Sequence, residues 1–207
     1  MQTSSNQPGF ARVNFPNLHL VATISLLALF VVLTGCSKSA GGNSMNLKWP
    51  GMNQKEMPVK SSYAFAVTKT FTDINQKIST APSYQVFAAN YDLDATTFGL
   101  TLNKPLAADD QLRVTFSLVG DEGGNEKSPL KAGDYSAKAD KFMKVEAVGI
   151  VTRKDGKDNT LWLDRSTLTG TVKVTSASAE AVSGDVDLNA GESAIKGSFT
   201  AKILVRK

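Results

Sequence analysis

The stretch QLRVTFSLV, residues 111–119, decides the fold class of this chain. Apolar and polar side chains alternate along it, with Leu112, Val114, Phe116 and Leu118 on one side and Arg113, Thr115 and Ser117 on the other. A period of two residues is that of a β-strand that buries one face and exposes the other. We therefore predict an amphipathic strand whose apolar side faces a core and whose polar side faces solvent.

The same period recurs along most of the chain from about residue 49 onward. It is clearest in YAFAVTKTF, residues 63–71, and weaker but still rich in β-branched and aromatic residues at 84–91, 97–102, 143–152 and 160–163. No window of helical length carries an apolar stripe with a 3.6-residue period. The chain is thus predicted to be all-β.

Segments rich in Gly, Asp and Asn separate these strands. They are GDEGGNE at residues 120–126, KAGD at 131–134 and KDGKDN at 154–159. These residue types tolerate positive φ and close hairpins. The strongest hairpin prediction is the Asp155-Gly156 pair, which lies between two apolar runs.

The C-terminal third contains a weak internal repeat. TGTVKV at residues 169–174, SGDVDL at 183–188 and KGSFTA at 196–201 each place a glycine at the second position, followed by alternating apolar residues. This spacing predicts a three-stranded antiparallel meander, in which the glycines mark a kink or a close approach of two backbones. The ending resembles the C-terminal meander of several uncharacterised envelope β-domain lipoproteins of bacteria.

Eight to ten strands without helices favour an antiparallel β-sandwich, with a closed β-barrel as the alternative. The residues from 49 to 207 are expected to form this one β-domain.

The N-terminal region contains a short apolar segment, residues 20–33, fourteen residues long. A membrane-spanning helix needs about 20 apolar residues, whereas the core of a signal peptide needs roughly 7 to 15. The length favours a signal peptide over an uncleaved anchor helix or a buried strand.

The segment ends in Leu33-Thr34-Gly35-Cys36, which resembles the lipobox of bacterial lipoproteins. The resemblance implies that residues 1–35 are removed, that Cys36 receives a diacylglycerol, and that its new amino group is acylated, for example with palmitate. Residues 36–48 are then a small, polar tether. Ser37 after the cysteine implies an outer-membrane address in a bacterium with two membranes, with the domain facing the periplasm or the exterior.

Cleavage before Cys36 would remove the only histidine, His19, and lipidation would use the only thiol. The remaining chain could build no Ser-His-Asp or Cys-His nucleophilic site, no His/Cys zinc site and no internal disulfide. We therefore predict no catalytic residue, no metal and no cofactor. The net charge of +4 is spread along the chain, so that no nucleic-acid partner is expected.

Four of the candidate sites contain acidic side chains. Asp92 and Asp94 in YDLD would share one face of a strand, and Glu146 would pair with Lys144. The turns at 120–126 and 154–159 offer oxygen ligands but lack the spacing of a calcium loop, so that plain turns are the favoured interpretation.

The two tryptophans are the remaining candidates. For Trp162 core packing is favoured, and an exposed ring that contacts a sugar or a protein is the alternative. Trp49 is expected to close one end of the domain.

These observations predict a lipid-anchored cell-envelope protein that binds an envelope protein, a glycan or a small ligand and is not an enzyme. A carboxylate-dependent hydrolase of envelope polysaccharide is one alternative. It needs two acidic side chains about 5 to 10 Å apart, drawn from Asp92, Asp94, Glu146 and Asp164. A ligand-carrying barrel with an open apolar lumen is another.

Overall fold

The computed structural model of the chain describes residues 43–96 and 101–205. These residues form eleven strands and one short 3₁₀ turn, Thr101–Asn103. The strands are β1 (Ser44–Trp49), β2 (Met52–Pro58), β3 (Ser61–Thr72), β4 (Ile78–Ala89), β5 (Leu112–Val119), β6 (Gly133–Ser136), β7 (Lys144–Lys154), β8 (Lys157–Trp162), β9 (Thr169–Ala177), β10 (Ala181–Ala190) and β11 (Ser193–Leu204). The all-β prediction is confirmed. Within the described ranges there is no helix long and apolar enough to cross a membrane.

Eight of the strands close into a barrel. Their order is β10-β9-β6-β7-β5-β4-β3-β11, and β11 pairs back onto β10. The strands β1 and β2 extend the sheet from β11, and β8 pairs only with β7. The predicted sandwich is not confirmed, and the barrel is the architecture that forms. The reason is that β11 pairs with β10 on one edge and with β3 on the other, which removes the free edges that a sandwich would keep.

Most pairings are antiparallel, but the two that complete the ring are short and parallel. Lys202, Ile203 and Leu204 of β11 pair with Tyr63, Ala64 and Phe65 of β3, and Ser136 of β6 pairs with Lys144 of β7. The long antiparallel pairs β3–β4, β4–β5 and β5–β7 form one wall of the barrel.

The predicted hairpin at Asp155-Gly156 is confirmed. Lys154 and Lys157 face each other across it, and the two turn residues have φ values of 51° and 75°. Positive φ at both central residues is the conformation that matches the twist of a two-residue hairpin. Residues 97–100 of the strand predicted at 97–102 lie outside the described residues, and its last two residues, Thr101 and Leu102, belong to the 3₁₀ turn.

The C-terminal meander is confirmed as β9, β10 and β11, and its glycines lie where two backbones approach closely. A Cβ atom would come within 2.0 Å of the Asp187 oxygen at Gly170, 2.4 Å of the Lys173 oxygen at Gly184, and 2.1 Å of the Ser44 oxygen at Gly197. No real Cβ atom tolerates such distances, so that each position requires glycine.

A continuous apolar cluster fills the interior of the barrel. It receives side chains from every strand of the ring, and its largest fully buried members include Tyr135, Phe116 and Phe199. The rings of Phe116 and Phe199 meet edge to face with centroids 5.2 Å apart. An eight-stranded barrel is just wide enough for side chains to fill it, and these side chains do so here.

A second apolar cluster covers part of the outer face of the barrel. Phe87 and Ala89 of β4 pack there with Leu93 and Leu102 from the connection between β4 and β5. The expectation that Arg113 and Thr115 face solvent is therefore wrong. They are only 5% and 4% exposed, whereas strict alternation placed them on the open face of β5.

The β-domain begins before the predicted boundary at residue 49. Residues 44–48, assigned to the tether, belong to β1, because Met45 and Leu47 are fully buried and β1 pairs with β11. Trp49 is partly buried against the interior cluster. The predicted signal peptide, Cys36 and the first part of the tether lie outside the described residues.

Candidate ligand-binding surface around Trp162

Trp162 is the last residue of β8 and points away from the barrel interior. Its side chain is 58% exposed, whereas Leu163, the next residue, is buried. The core-packing interpretation of Trp162 is therefore corrected: the neighbouring leucine enters the core and the indole remains on the outer face. An exposed tryptophan ring on a sheet has a flat apolar face that can stack on a sugar ring or contact a protein.

Gly149 of β7 lies directly beneath the indole ring of Trp162. It pairs directly with Trp162, and a Cβ at this position would lie 2.9 Å from Cε3 of the ring and 3.4 Å from Cγ2 of Thr115. A side chain at Gly149 would therefore push the ring away from the sheet. The glycine lets one face of the indole rest on the β7 backbone while the rest of the ring is open to solvent.

A bulge in β7 places Glu146 on the same outer face. Ser117 pairs with Glu146 and Thr115 pairs with Gly149, so that β7 has one residue more than β5 between these pairs. Ala147 in this segment has a φ of 49°. Bulges of this kind turn side chains to a new direction, and here both Glu146 and Gly149 face outward although they are three residues apart.

Glu146 links three parts of the chain. Its carboxylate pairs with Lys69 of β3, and its Oε1 lies 3.5 Å from Nη2 of Arg165. The predicted partner was wrong, since Nζ of Lys144 instead donates to the carbonyl of Asp140 at 2.6 Å. The pairing of Glu146 with Lys69 depends on the bulge in β7 and on the position of Lys69 on a distant strand, and the alternation of the sequence around Glu146 predicts neither.

Asp164 shapes the turn that presents Arg165. Its carboxylate accepts hydrogen bonds from the amide of Ser166 at 2.9 Å and from the hydroxyl of Ser166 at 2.8 Å. These two bonds hold the pKa of Asp164 below its usual range, the amide having the larger effect. The side chain of Arg165, three residues after Trp162 in the sequence, is 66% exposed. We call Trp162, Gly149, Glu146, Lys69 and Arg165 the Trp162 surface.

The acids Asp92 and Asp94 do not share a strand face. Strand β4 ends at Ala89, and both residues lie in the loop that follows. Asp92 pairs with Lys60 at 2.7 Å. Asp94 pairs with Lys104 and accepts a hydrogen bond from the amide of Thr96, and these contacts, above all that with Lys104, lower its pKa. Each acid thus has its own structural partner.

Residues of the two turns considered as calcium loops form hydrogen bonds with other parts of the chain. Asp109 accepts hydrogen bonds from the amides of Asp155 and Gly156, and Asp158 accepts one from the amide of Leu106. In the turn at 120–126, Glu126 accepts a hydrogen bond from Thr68. Across the described ranges, no group of three or more His, Cys, Asp or Glu side chains is placed to hold a metal ion.

Comparison of the chain with protein-family models, with curated proteins and with solved structures gives no match.

Proposed function

We propose that this chain is a lipid-anchored cell-envelope protein whose barrel binds a glycan of the envelope at the Trp162 surface and does not catalyse a reaction. The observation that carries the proposal is the geometry of Trp162. Its ring is open to solvent and is supported by Gly149, and the same outer face of β7 carries Glu146, which contacts Arg165.

A sugar ring matches this chemistry. Its C–H face packs on an aromatic ring, while its hydroxyl groups need both donors and acceptors nearby. Glu146 offers acceptors and Arg165 offers donors, and their separation of 3.5 Å places both kinds of group together. An interface with a protein would need a much larger contact area, on the order of 800 Å² per partner.

The partners of the acidic side chains support a role in binding rather than hydrolysis. Asp92, Asp94 and Glu146 are each paired with a cation, and Asp164 is used by its own turn. A hydrolytic pair needs one carboxyl group held protonated and a second one opposite it. The tightly packed interior cluster likewise gives less support to the alternative of a ligand carried inside the barrel.

The lipid anchor rests on Leu33-Thr34-Gly35-Cys36. Two or three acyl chains, at about 0.8 kcal/mol per buried CH₂, hold a protein on a bilayer far more firmly than one. With Ser37 after the cysteine, we infer an outer-membrane location in a bacterium with two membranes.

Replacing Cys36 by Ala should abolish lipidation and processing. The variant should fail to incorporate labelled palmitate and should keep the precursor mass, because the thiol that accepts the lipid is gone. Cys36→Ser keeps the size of the side chain but also lacks the thiol, so that it should remain unlabelled and unprocessed as well. Unchanged recovery of processed, labelled protein would contradict the anchor.

Replacing Trp162 by Ala should weaken binding to envelope glycan about tenfold, because the stacking surface is removed. Co-sedimentation of the full-length protein with purified cell-wall material, and binding to soluble oligosaccharides cut from it, measure this. Trp162→Phe keeps an aromatic face and should retain most of the affinity. Because the indole is largely exposed, the free energy of unfolding should fall by only about 1 kcal/mol in Trp162→Ala. Equal binding by the wild type and Trp162→Ala would contradict the proposed site.

A further inference from the structure

A pocket lies on the outer face of the barrel between the loop after β4 and the segment before β5. Its volume is about 190 Å³, and its lining includes Tyr91, Asp94, Lys104 and Arg113. It is distinct from the Trp162 surface, with which it shares no lining residue.

Arg113 is the unusual member of this lining. It is 5% exposed, and its Nη1 donates to the hydroxyl of Tyr91 at 3.2 Å and to the carbonyl of Lys104 at 2.8 Å. Both acceptors are uncharged. The buried Nε has no hydrogen-bond partner, and within the described ranges Arg113 forms no ion pair.

A buried guanidinium without a counter-charge is costly, because its charge is removed from water without compensation. Arg153, in the same region, has the negatively charged partners that a largely buried arginine usually has. It pairs with Asp158 at 2.9 Å and with Asp109 at 3.7 Å. Arg113 has no such partner. Its Nη1 donates to Tyr91 and Lys104, and Nη2 remains to donate to an oxygen of a carboxylate or phosphate.

The carboxylates around the pocket have other partners. Asp94 pairs with Lys104, and Asp92 pairs with Lys60. Asp158 lies close enough to contribute to the raised pKa of Tyr91, which burial mainly causes, but its oxygens bind the amide of Leu106 and Arg153. In the described part of the chain, none of these three acids forms an ion pair or a hydrogen bond with Arg113.

We propose that this pocket binds the oxyanion group of a small molecule, a carboxylate or a phosphate, through Nη2 of Arg113. The size of the pocket fits one such group with a short organic chain. The ligand compensates the charge of Arg113, and Tyr91 and the Lys104 carbonyl fix the guanidinium in place. This inference is independent of the glycan proposal, since neither the residues nor the ligand chemistry is shared.

The test uses the full-length protein in mild detergent with inorganic phosphate and with succinate as probes, and sodium chloride at equal ionic strength as reference. At least one probe should raise the midpoint temperature of thermal unfolding, and the increase should grow with the concentration of the probe relative to its Kd. Arg113→Gln should weaken that binding at least about tenfold, whereas Lys173→Gln, which removes an exposed positive charge on β9, should leave it unchanged. Stabilisation by phosphate alone identifies a phosphate ligand, and stabilisation by succinate alone identifies a carboxylate ligand.

A second measurement does not depend on the fold of the Arg113 variant. The Nε–H resonance of Arg113 in the wild type should shift when the bound probe reaches saturation, because the oxyanion binds the guanidinium group of which Nε is part. If neither probe stabilises the protein beyond sodium chloride, or if this resonance does not move, the proposal is overturned. Equal binding by Arg113→Gln and wild type overturns it as well.

Discussion

The Gly184→Ala variant is expected to lose about 3 kcal/mol of unfolding free energy. Gly184 lies within β10, which pairs with β9 and β11, so that neither neighbour can move away without opening the barrel. A Cβ there would lie 2.4 Å from the Lys173 oxygen and 3.1 Å from Cε1 of Phe199. The phenylalanine ring can shift slightly, but the carbonyl is fixed by the sheet. Urea denaturation of the full-length chain in detergent measures the loss.

Gly191→Ala is the matched control for this variant. Gly191 joins β10 to β11 with a φ of 58°, and no atom lies within 4 Å of its Cβ position. Its substitution should cost only the strain of the left-handed conformation, about 1 kcal/mol. A Gly184→Ala variant as stable as Gly191→Ala would show that the strands do not approach as closely as described.

The Phe199→Ala variant should lose about 3–5 kcal/mol, the usual range for removing a large aromatic side chain from a core. Phe199 is 1% exposed and meets Phe116 edge to face across the barrel interior. Its removal leaves a cavity that the surrounding strands cannot fill, because closure of the sheet restricts their movement. The midpoint of urea denaturation should fall accordingly.

Ile74→Ala is the contrasting variant, since Ile74 is 98% exposed at the turn between β3 and β4. Its stability should change by no more than about 0.5 kcal/mol. Should Phe199→Ala and Ile74→Ala have similar stability, the interior cluster is not the main source of the barrel's stability.

Local patterns were sufficient to predict several elements. Alternation locates β3, β5 and β7. In β5 and β7 one apolar face packs in the interior, whereas in β3 Ala64 faces the interior and the larger Tyr63 and Phe65 pack against the outer cluster. The turn at Asp155-Gly156 follows from the two residues that best tolerate positive φ. The repeated glycines at 170, 184 and 197 predict either a kink or a close approach of two backbones, and the structure has the close approach.

Closure of the barrel could not be predicted in the same way. It depends on the pairing of Lys202, Ile203 and Leu204 with residues 63–65, at the other end of the domain. A strand pattern specifies which face is buried but not which edge is paired. Sandwich and barrel therefore have the same local signature, and only these long-range pairs separate them.

The two candidate sites depend on departures from regular alternation. The bulge near Ala147 gives β7 one extra residue and so places Glu146 near Arg165 and Lys69. The alternation of its strand predicts that Arg113 faces solvent, but residues of the connection between β4 and β5 cover that face. The apolar residues Leu93, Leu102 and Leu106 in that connection were the available signal of a second covering layer.

Fluorescence of the chain's two tryptophans tests the central claim most directly, because each can be removed separately. In Trp49→Phe, which leaves only Trp162, binding of cell-wall oligosaccharide should shift the emission to shorter wavelength and protect the indole from acrylamide quenching. In Trp162→Phe, which leaves only Trp49, emission should not change at the same ligand concentrations. Binding that leaves the emission of Trp162 unaltered, or alters only that of Trp49, would contradict a glycan site at the Trp162 surface.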